Sequence, residues 1–398
     1  MVVQTQRFTG DFQRFGAQTR ALLPAILKPV ILRHTGRLVL VALSAATLAI
    51  CGPVYQIVDL GALGGGTSGG AGINQNGVVA GWSLTSSGSY QGFFNSGGAI
   101  QGLGSLSGGI GNAASAINGA GQIAGTTYTA DGGSVATVWN SGTPTSLGTL
   151  GGYISYATGI NASGAVTGLA TDSAGNAQAF LYRNGAMTTL TAGTWASGYG
   201  VNATGSVVGT VESTPGHFQA FIWTPGSGLT TLGSGVSHGM GINNAGRVVG
   251  SAVGASGYTR AFYSDGTGLN QIGTLGGGNS YAYGVNGFGD IVGYSDTATG
   301  GTAGFLWSNG VLYDLNALVG LNRGWMITEA YGINDKGQIT GTGIHDGASR
   351  AFRLDPIQSV ALHIPAVIPA GNVPEPSTFW MLATACGLAS LASLRRPR

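Results

Sequence analysis

Lysine is nearly missing from this chain: Lys28 and Lys336 are the only two among 398 residues. Charged residues together make up 8%, against the ~25% usual in globular domains. A mostly helical fold is thereby excluded, because an amphipathic helix needs straight-chain polar residues on its wet face. Cysteine is confined to Cys51 and Cys386, so residues 54–372 carry no disulfide and must be held by packing. A high net charge is missing too. At +2, with 43% hydrophobic residues, the chain does not have the composition of a disordered one. What is abundant is glycine, 75 residues, far above the usual ~7%. It has no period of three, which excludes collagen. The remaining class is a glycine-rich, turn-rich β protein.

The few charges are unevenly placed. Residues 1–53 hold six basic residues and one acid, Asp11, and residues 373–398 hold three arginines and Glu375. The span 54–372 keeps seven basic and twelve acidic residues, a net −5. Seven scattered cations cannot neutralise many phosphates, so nucleic acid is not an expected partner.

Both ends read as addresses. Lys28, Arg33 and Arg37 precede a 13-residue apolar run, Leu38 to Ile50, and then small residues. That is the layout of a secretory signal, preceded by a long N-terminal extension; residues 1–53 are assigned to it. The run is too short to span a bilayer comfortably. A buried core helix is the structural alternative, and Cys51 raises a lipoprotein box that Ile50 spoils. At the other end, Val373-Pro374-Glu375-Pro376-Ser377-Thr378 is followed by sixteen mostly apolar residues and by Arg395-Arg396-Pro397-Arg398. Sixteen helical residues reach roughly 24 Å. The arrangement resembles the PEP-CTERM sorting signal of Gram-negative bacteria in all three of its parts. The resemblance implies Sec export, a transient inner-membrane anchor with the arginines held in the cytoplasm, and recognition by an exosortase. It further implies release to the cell surface or an exopolysaccharide matrix. A plain membrane anchor is the alternative reading. Residues 356–372 form a linker.

Between the addresses lie seven copies of one unit. Asn74, Asn118, Asn161, Asn202, Asn243, Asn286 and Asn334 each follow Ile or Val, at spacings of 44, 43, 41, 41, 43 and 48 residues. A glycine stands three residues after every one of them, and another seven residues after. Asn with Gly three later suits a type I turn closed by a glycine at positive φ. Asn161-Ala-Ser163 and Asn202-Ala-Thr204 match glycosylation sequons but fall in this turn. The second glycine lies inside a strand and marks close approach of a backbone or ring. An aromatic strand follows, such as Ala179-Phe180-Leu181-Tyr182 or Ala220-Phe221-Ile222-Trp223. A second tight turn, such as Arg183-Asn184-Gly185, leads to a short last strand ending in Leu-Gly or similar.

Four strands in ~43 residues is the content of a propeller blade. Tyr55–Gly61 resembles a fourth strand with no unit of its own (compare Val311–Leu315), and the seventh unit lacks one. One strand spare at the start and one missing at the end predict an all-β, seven-bladed β-propeller over 54–355. Strand 55–61 is expected to close it by joining the last blade. An open solenoid would leave both edges bare. The units also resemble the HAF family of probable extracellular repeats, Ala-x-Gly-Ile-Asn…Gly-x-Val-Val-Gly…Ala-Phe-Leu-Trp…Leu-Gly-Thr-Leu-Gly-Gly. Unit 161–193 follows this pattern. The second unit departs, with Ser115-Ala116 before Ile117 and Thr137-Val138-Trp139 for the aromatic strand. The resemblance implies a surface destination and supplies no catalytic residues.

Function is expected on the variable connections at one end of the strands. No metalloprotease helix, calcium loop, nucleophile elbow or P-loop motif occurs, so no enzyme, cofactor or metal site is expected. The glycine runs at 64–66 and 276–278 lack a following helix and lysine, and read as linkers. His238 reads as a packed residue. His217 and His345-Asp346, with Glu212, are the residues an acid/base or metal site would use. The sequence therefore predicts an exported surface or matrix protein, a non-catalytic binding or structural propeller with exopolysaccharide as its expected associate. The alternative is a secreted polysaccharide hydrolase or lyase with its site on the long-loop face. Trp195 and Trp325, outside the repeated aromatic strands, are the expected ligand-binding residues, since planar indoles suit the apolar faces of sugars. The other reading of both is that they plug gaps between blades.

Overall fold

The computed structural model describes residues 53–357, apart from 267 and 320–323. The signal segment, most of the linker and the sorting tail lie outside the described residues. Each complete repeat folds as a four-stranded antiparallel unit whose strands follow one another in order, as in Gly64–Ile73, Val79–Thr85, Tyr90–Asn95 and Gln101–Gly102. The second and third units are also linked by one parallel bridge, Ile154 to Ser134. In the last sheet Trp325–Ile333, Ile339–His345 and Ala348–Ile357 stand side by side, and Val54–Gly61 pairs antiparallel with the third of them. Its register runs from Val54 opposite Ile357 to Gly61 opposite Ala351, so the last strand continues two residues past the boundary expected at 355.

The first turn forms as its residues dictate. Gly77 N–H donates to the Asn74 carbonyl at 3.0 Å with φ of 78°. The same bond recurs after every repeated asparagine. The Asn74 side-chain oxygen accepts from Asn76 N–H and Val78 N–H, both at 3.0 Å. The second turn is a two-residue hairpin with both residues at positive φ, Asn184 at 53° and Gly185 at 81°. One local element differs from expectation. The strand expected over Val311–Leu315 ends at Asp314, which caps a four-residue helix, Leu315–Leu318, by accepting from Asn316 N–H.

The asparagines also act beyond their own turns. Asn74 Nδ2 donates to the carbonyl of Asn118, Asn118 to Asn161, Asn161 to Asn202 and Asn202 to Asn243. Asn243 donates to Asn286, Asn286 to Asn334, and Asn334 returns to Asn74 at 2.9 Å. All seven side chains are buried. Asn161 and Asn202, the two sequons, are 6% and 5% exposed with Nδ2 already engaged. The predicted consequence for Asn161→Ala is a loss of about 2–4 kcal/mol, because two backbone N–H groups lose their partner and the Asn202 carbonyl keeps only its bond from Gly205 N–H. Asn161→Asp keeps the acceptor and loses the donor, and is also destabilising. Equilibrium denaturation of both variants is the check; an unchanged midpoint removes the asparagines as structural links.

The core is divided among the spaces between adjacent units. Phe180 packs on Ala124 and Ala136 of the unit before it, Phe262 on Val208 and Ala220, and Phe305 on Val249 and Ala261. Phe93, in the first unit, packs on Ala351 and Leu60. The second unit has Thr137 where the others have Phe, and fills its space with Trp139, fully buried, whose Nε1–H donates to Gly104 O at 2.6 Å. The strand glycine faces these rings. A Cβ on Gly168 would overlap the Tyr156 carbonyl oxygen and come within 2.9 Å of the Phe180 ring.

Candidate functional site

The first strands of all seven units line one cavity of about 440 Å³. At the asparagine end its wall is the Ile or Val before each asparagine, an apolar ring. Two residues earlier the wall becomes lopsided. The residue three before the asparagine is Ala71, Ser115 and Thr158 in the first three units, but Tyr199, Met240, Tyr283 and Tyr331 in the last four. The tyrosine side is a connected aromatic surface. Tyr283 packs edge-on against Tyr331, with centroids 5.1 Å apart, and stacks on Tyr294 at 5.9 Å; Tyr294 stacks on Tyr281 at 4.8 Å. Burial raises the Tyr283, Tyr294 and Tyr331 phenols above their ordinary range. For Tyr331, the hydrogen bond to Glu329 raises it further. These hydroxyls therefore remain protonated donors through neutral and mildly alkaline pH.

A second cavity of about 340 Å³ adjoins the first at Tyr331. It lies between the first and last units. Trp82, with Gly70 and Ala71, stands on the first-unit side; Glu329, Tyr331, Thr342 and Ser349 stand on the last-unit side. Tyr331 Oη donates to Glu329 Oε2. Tyr90, 53% exposed, leans on Trp82 with centroids 5.5 Å apart.

The two tryptophans singled out by sequence differ in placement. Trp195 is half-buried, edge-on to Phe218 at 5.4 Å, beside the connection into the fourth unit. Trp325 does not offer the ligand face expected of it. It is 5% exposed, with its ring stacked on His345 at 4.6 Å and edge-on to Phe352 at 6.2 Å. The physical reason is its position: it opens the inner strand of the last sheet, and its side chain turns into the core with Ile327 and Phe352.

The polar candidates are not brought together. Glu212 accepts from Thr194 Oγ1 at 2.6 Å and Gly216 N–H at 2.7 Å, and both bonds lower its pKa. His217, on the same hairpin, shares a bond with Ser213. His345 is on the last sheet, 3.2 Å from Asp59; Asp346 lies 3.9 Å from its other ring nitrogen and is largely exposed. Half-buried His238 touches Thr210 Oγ1 at 3.3 Å and stacks on Phe218, and burial lowers its pKa. Among the described residues no three of His, Cys, Asp or Glu converge as metal ligands would. The tyrosine wall and the Trp82 cavity were missed by sequence reasoning. The residue three before each asparagine was a readable signal, since its size changes abruptly at the fourth unit.

The fold and its shared cavity define a β-propeller. Solved structures of similar fold include TolB from Acinetobacter baumannii, with 11% identity over 60% of this chain and 64% of that one and a TM-score of 0.40. Another is a puromycin-hydrolyzing peptidase from Mycobacterium tuberculosis, with 10% identity over 78% of this chain and 54% of that one and a TM-score of 0.49. A third is the β-propeller domain of the Trilobed protease from Pyrococcus furiosus, with 10% identity over 73% and 96% and a TM-score of 0.49. The chain spans just under two thirds of the first and about half of the second. These likenesses concern the fold alone. No family model and no curated protein matches the chain.

Proposed function

We propose that this chain is an exported, non-catalytic, glycan-binding propeller that associates with exopolysaccharide at the cell surface or in a matrix. The observation that carries the reading is the aromatic wall of the shared cavity. Four large side chains, Tyr199, Met240, Tyr283 and Tyr331, stand on one side and small ones on the other. Apolar sugar faces pack on such rings, and the phenols other than Tyr331, whose hydroxyl is donated to Glu329, supply hydrogen bonds to hydroxyls. Trp195, half-buried and edge-on to Phe218, offers a separate aromatic face beside the connection into the fourth unit. The signal-like N-terminus and the PEP-CTERM-like tail support export, with the Sec machinery and an exosortase as processing partners.

The same reading takes the repeats as seven blades of one ring, closed by the strand Val54–Gly61. Its support is the asparagine chain that returns from Asn334 to Asn74. Ser68 adds a second link, since its Oγ accepts from Ala351 N–H at 3.0 Å and donates to Gly61 O at 2.5 Å. A third link is Arg353 Nη1 donating to Gly77 O at 3.1 Å.

The test is co-sedimentation of the full-length chain with purified bacterial exopolysaccharide. Tyr283→Ala and Trp195→Ala should each reduce retention about tenfold, the scale of one lost aromatic platform, with folding checked by circular dichroism. Trp325→Ala should lower the melting temperature instead. Retention unaltered by both Tyr283→Ala and Trp195→Ala in folded protein overturns the reading.

A further inference from the structure

The cavity between the first and last units is distinct from the tyrosine wall in one respect: it contains a carboxylate. Glu329 has one oxygen, Oε2, occupied by the Tyr331 hydroxyl. Its other oxygen has no hydrogen-bond partner among the described residues, and Glu329 takes part in none of the ion pairs found there. No basic side chain lines the cavity. Arg350 is adjacent in sequence to Ser349, but strand alternation turns it to the opposite face, with Phe352.

Facing the carboxylate is an indole with room in front of it, and the sequence around Gly69 explains the room. The residue five before the asparagine is Ala113, Tyr156, Ser197, His238, Tyr281 or Glu329 in the other units, and glycine only in the first. A Cβ at Gly69 would stand 2.8 Å from the Trp82 ring. Glycine there lets the indole lie across the strand, and Gly70 and Ala71 keep the floor low. The resulting space, about 340 Å³, is of the size of a small ligand or a sugar residue.

We propose that this cavity binds a protonated amine carried on a sugar, that is, an unacetylated amino sugar of a glycan. The inference rests on the glycan-binding reading above and names the ligand class at a second, adjoining site. An ammonium group is attracted both by the face of an indole and by a carboxylate. The pair Trp82 and Glu329 offers both from opposite walls, with Tyr331 beside them. The net −5 of residues 54–372 draws cations and repels anionic polymers. Tyr331 acts as a positioning residue, because its hydroxyl holds one carboxylate oxygen and leaves the other turned to the ligand.

The test is titration calorimetry of the full-length chain with a glucosamine trisaccharide and with its N-acetylated counterpart, at low and at high salt. The amine form should bind at least about tenfold more tightly at low salt, and the preference should shrink as salt rises. Glu329→Gln, nearly isosteric, should abolish the preference without changing the melting temperature. Trp82→Ala should weaken both ligands. If both sugars bind alike and Trp82→Ala weakens both, the amine assignment is overturned while glycan binding stands. If Glu329→Gln leaves the preference intact, the carboxylate is not its source and the proposal also falls. Absence of binding by either sugar overturns the proposal, while retention on exopolysaccharide judges the wider reading separately.

Discussion

Deleting Val54–Gly61 is expected to abolish cooperative unfolding. The strand supplies seven paired positions along Ala351–Ile357, from Gly61 opposite Ala351 to Val54 opposite Ile357. It also fills two spaces at once. Tyr55, 3% exposed, packs with Leu306 and Val292 of the sixth unit, and Leu60, 5% exposed, packs with Val79 and Phe93 of the first. Burial pushes the Tyr55 phenol up to about 12, with Asp290 adding to it. Removing two buried side chains and a ladder of backbone bonds costs about 5 kcal/mol or more, comparable to the whole stability of an ordinary domain. The bare edge left on Ala348–Ile357 is an aggregation template. Thermal unfolding followed by circular dichroism with light scattering reads both effects. A truncated chain that melts within a few degrees of the full one rejects closure by this strand.

The second large effect concerns the strand glycines. Gly168→Val places a side chain where the Tyr156 carbonyl and the Phe180 ring already stand. Neither neighbour can move freely, since Tyr156 pairs with Leu169 and Phe180 is fully buried between units. The expected loss is about 3–5 kcal/mol, the upper range for overpacking. Gly132→Ala is the comparison. That residue has φ of 86° with nothing within 4 Å of an added Cβ, so only backbone strain of about 1 kcal/mol applies. Denaturant midpoints of the two variants separate crowding from conformational strain. Equal midpoints would mean that the close approach carries no energy.

The local architecture was legible because each feature depends on a few adjacent residues. Asn with Gly three later specifies the first turn, and Asn184-Gly185 specifies the second, since two positive φ angles in a row exclude most other residues. The strand glycine announced a close approach, and the ring it faces follows from the repeated aromatic strand. Links between units were not legible. The asparagine Nδ2 groups could have met water, and nothing in a 41-residue spacing says that the next carbonyl stands at 2.9 Å. Trp325 read as a ligand platform because it lies outside the aromatic strands, but exposure depends on neighbours contributed by Ala348–Ile357.

Residue identity and spacing make this an all-β chain of seven like units with one further strand ahead of the first. Those are properties of periodicity, and periodicity is carried by residue identity alone. The tertiary structure decided which side chains share a space. Trp82 and Glu329 come from opposite ends of the repeat array, and they face one cavity only because the first unit packs beside the last. Burial and ligand geometry depend on distances between units, and those distances are set by packing between sheets, which no spacing along the chain encodes.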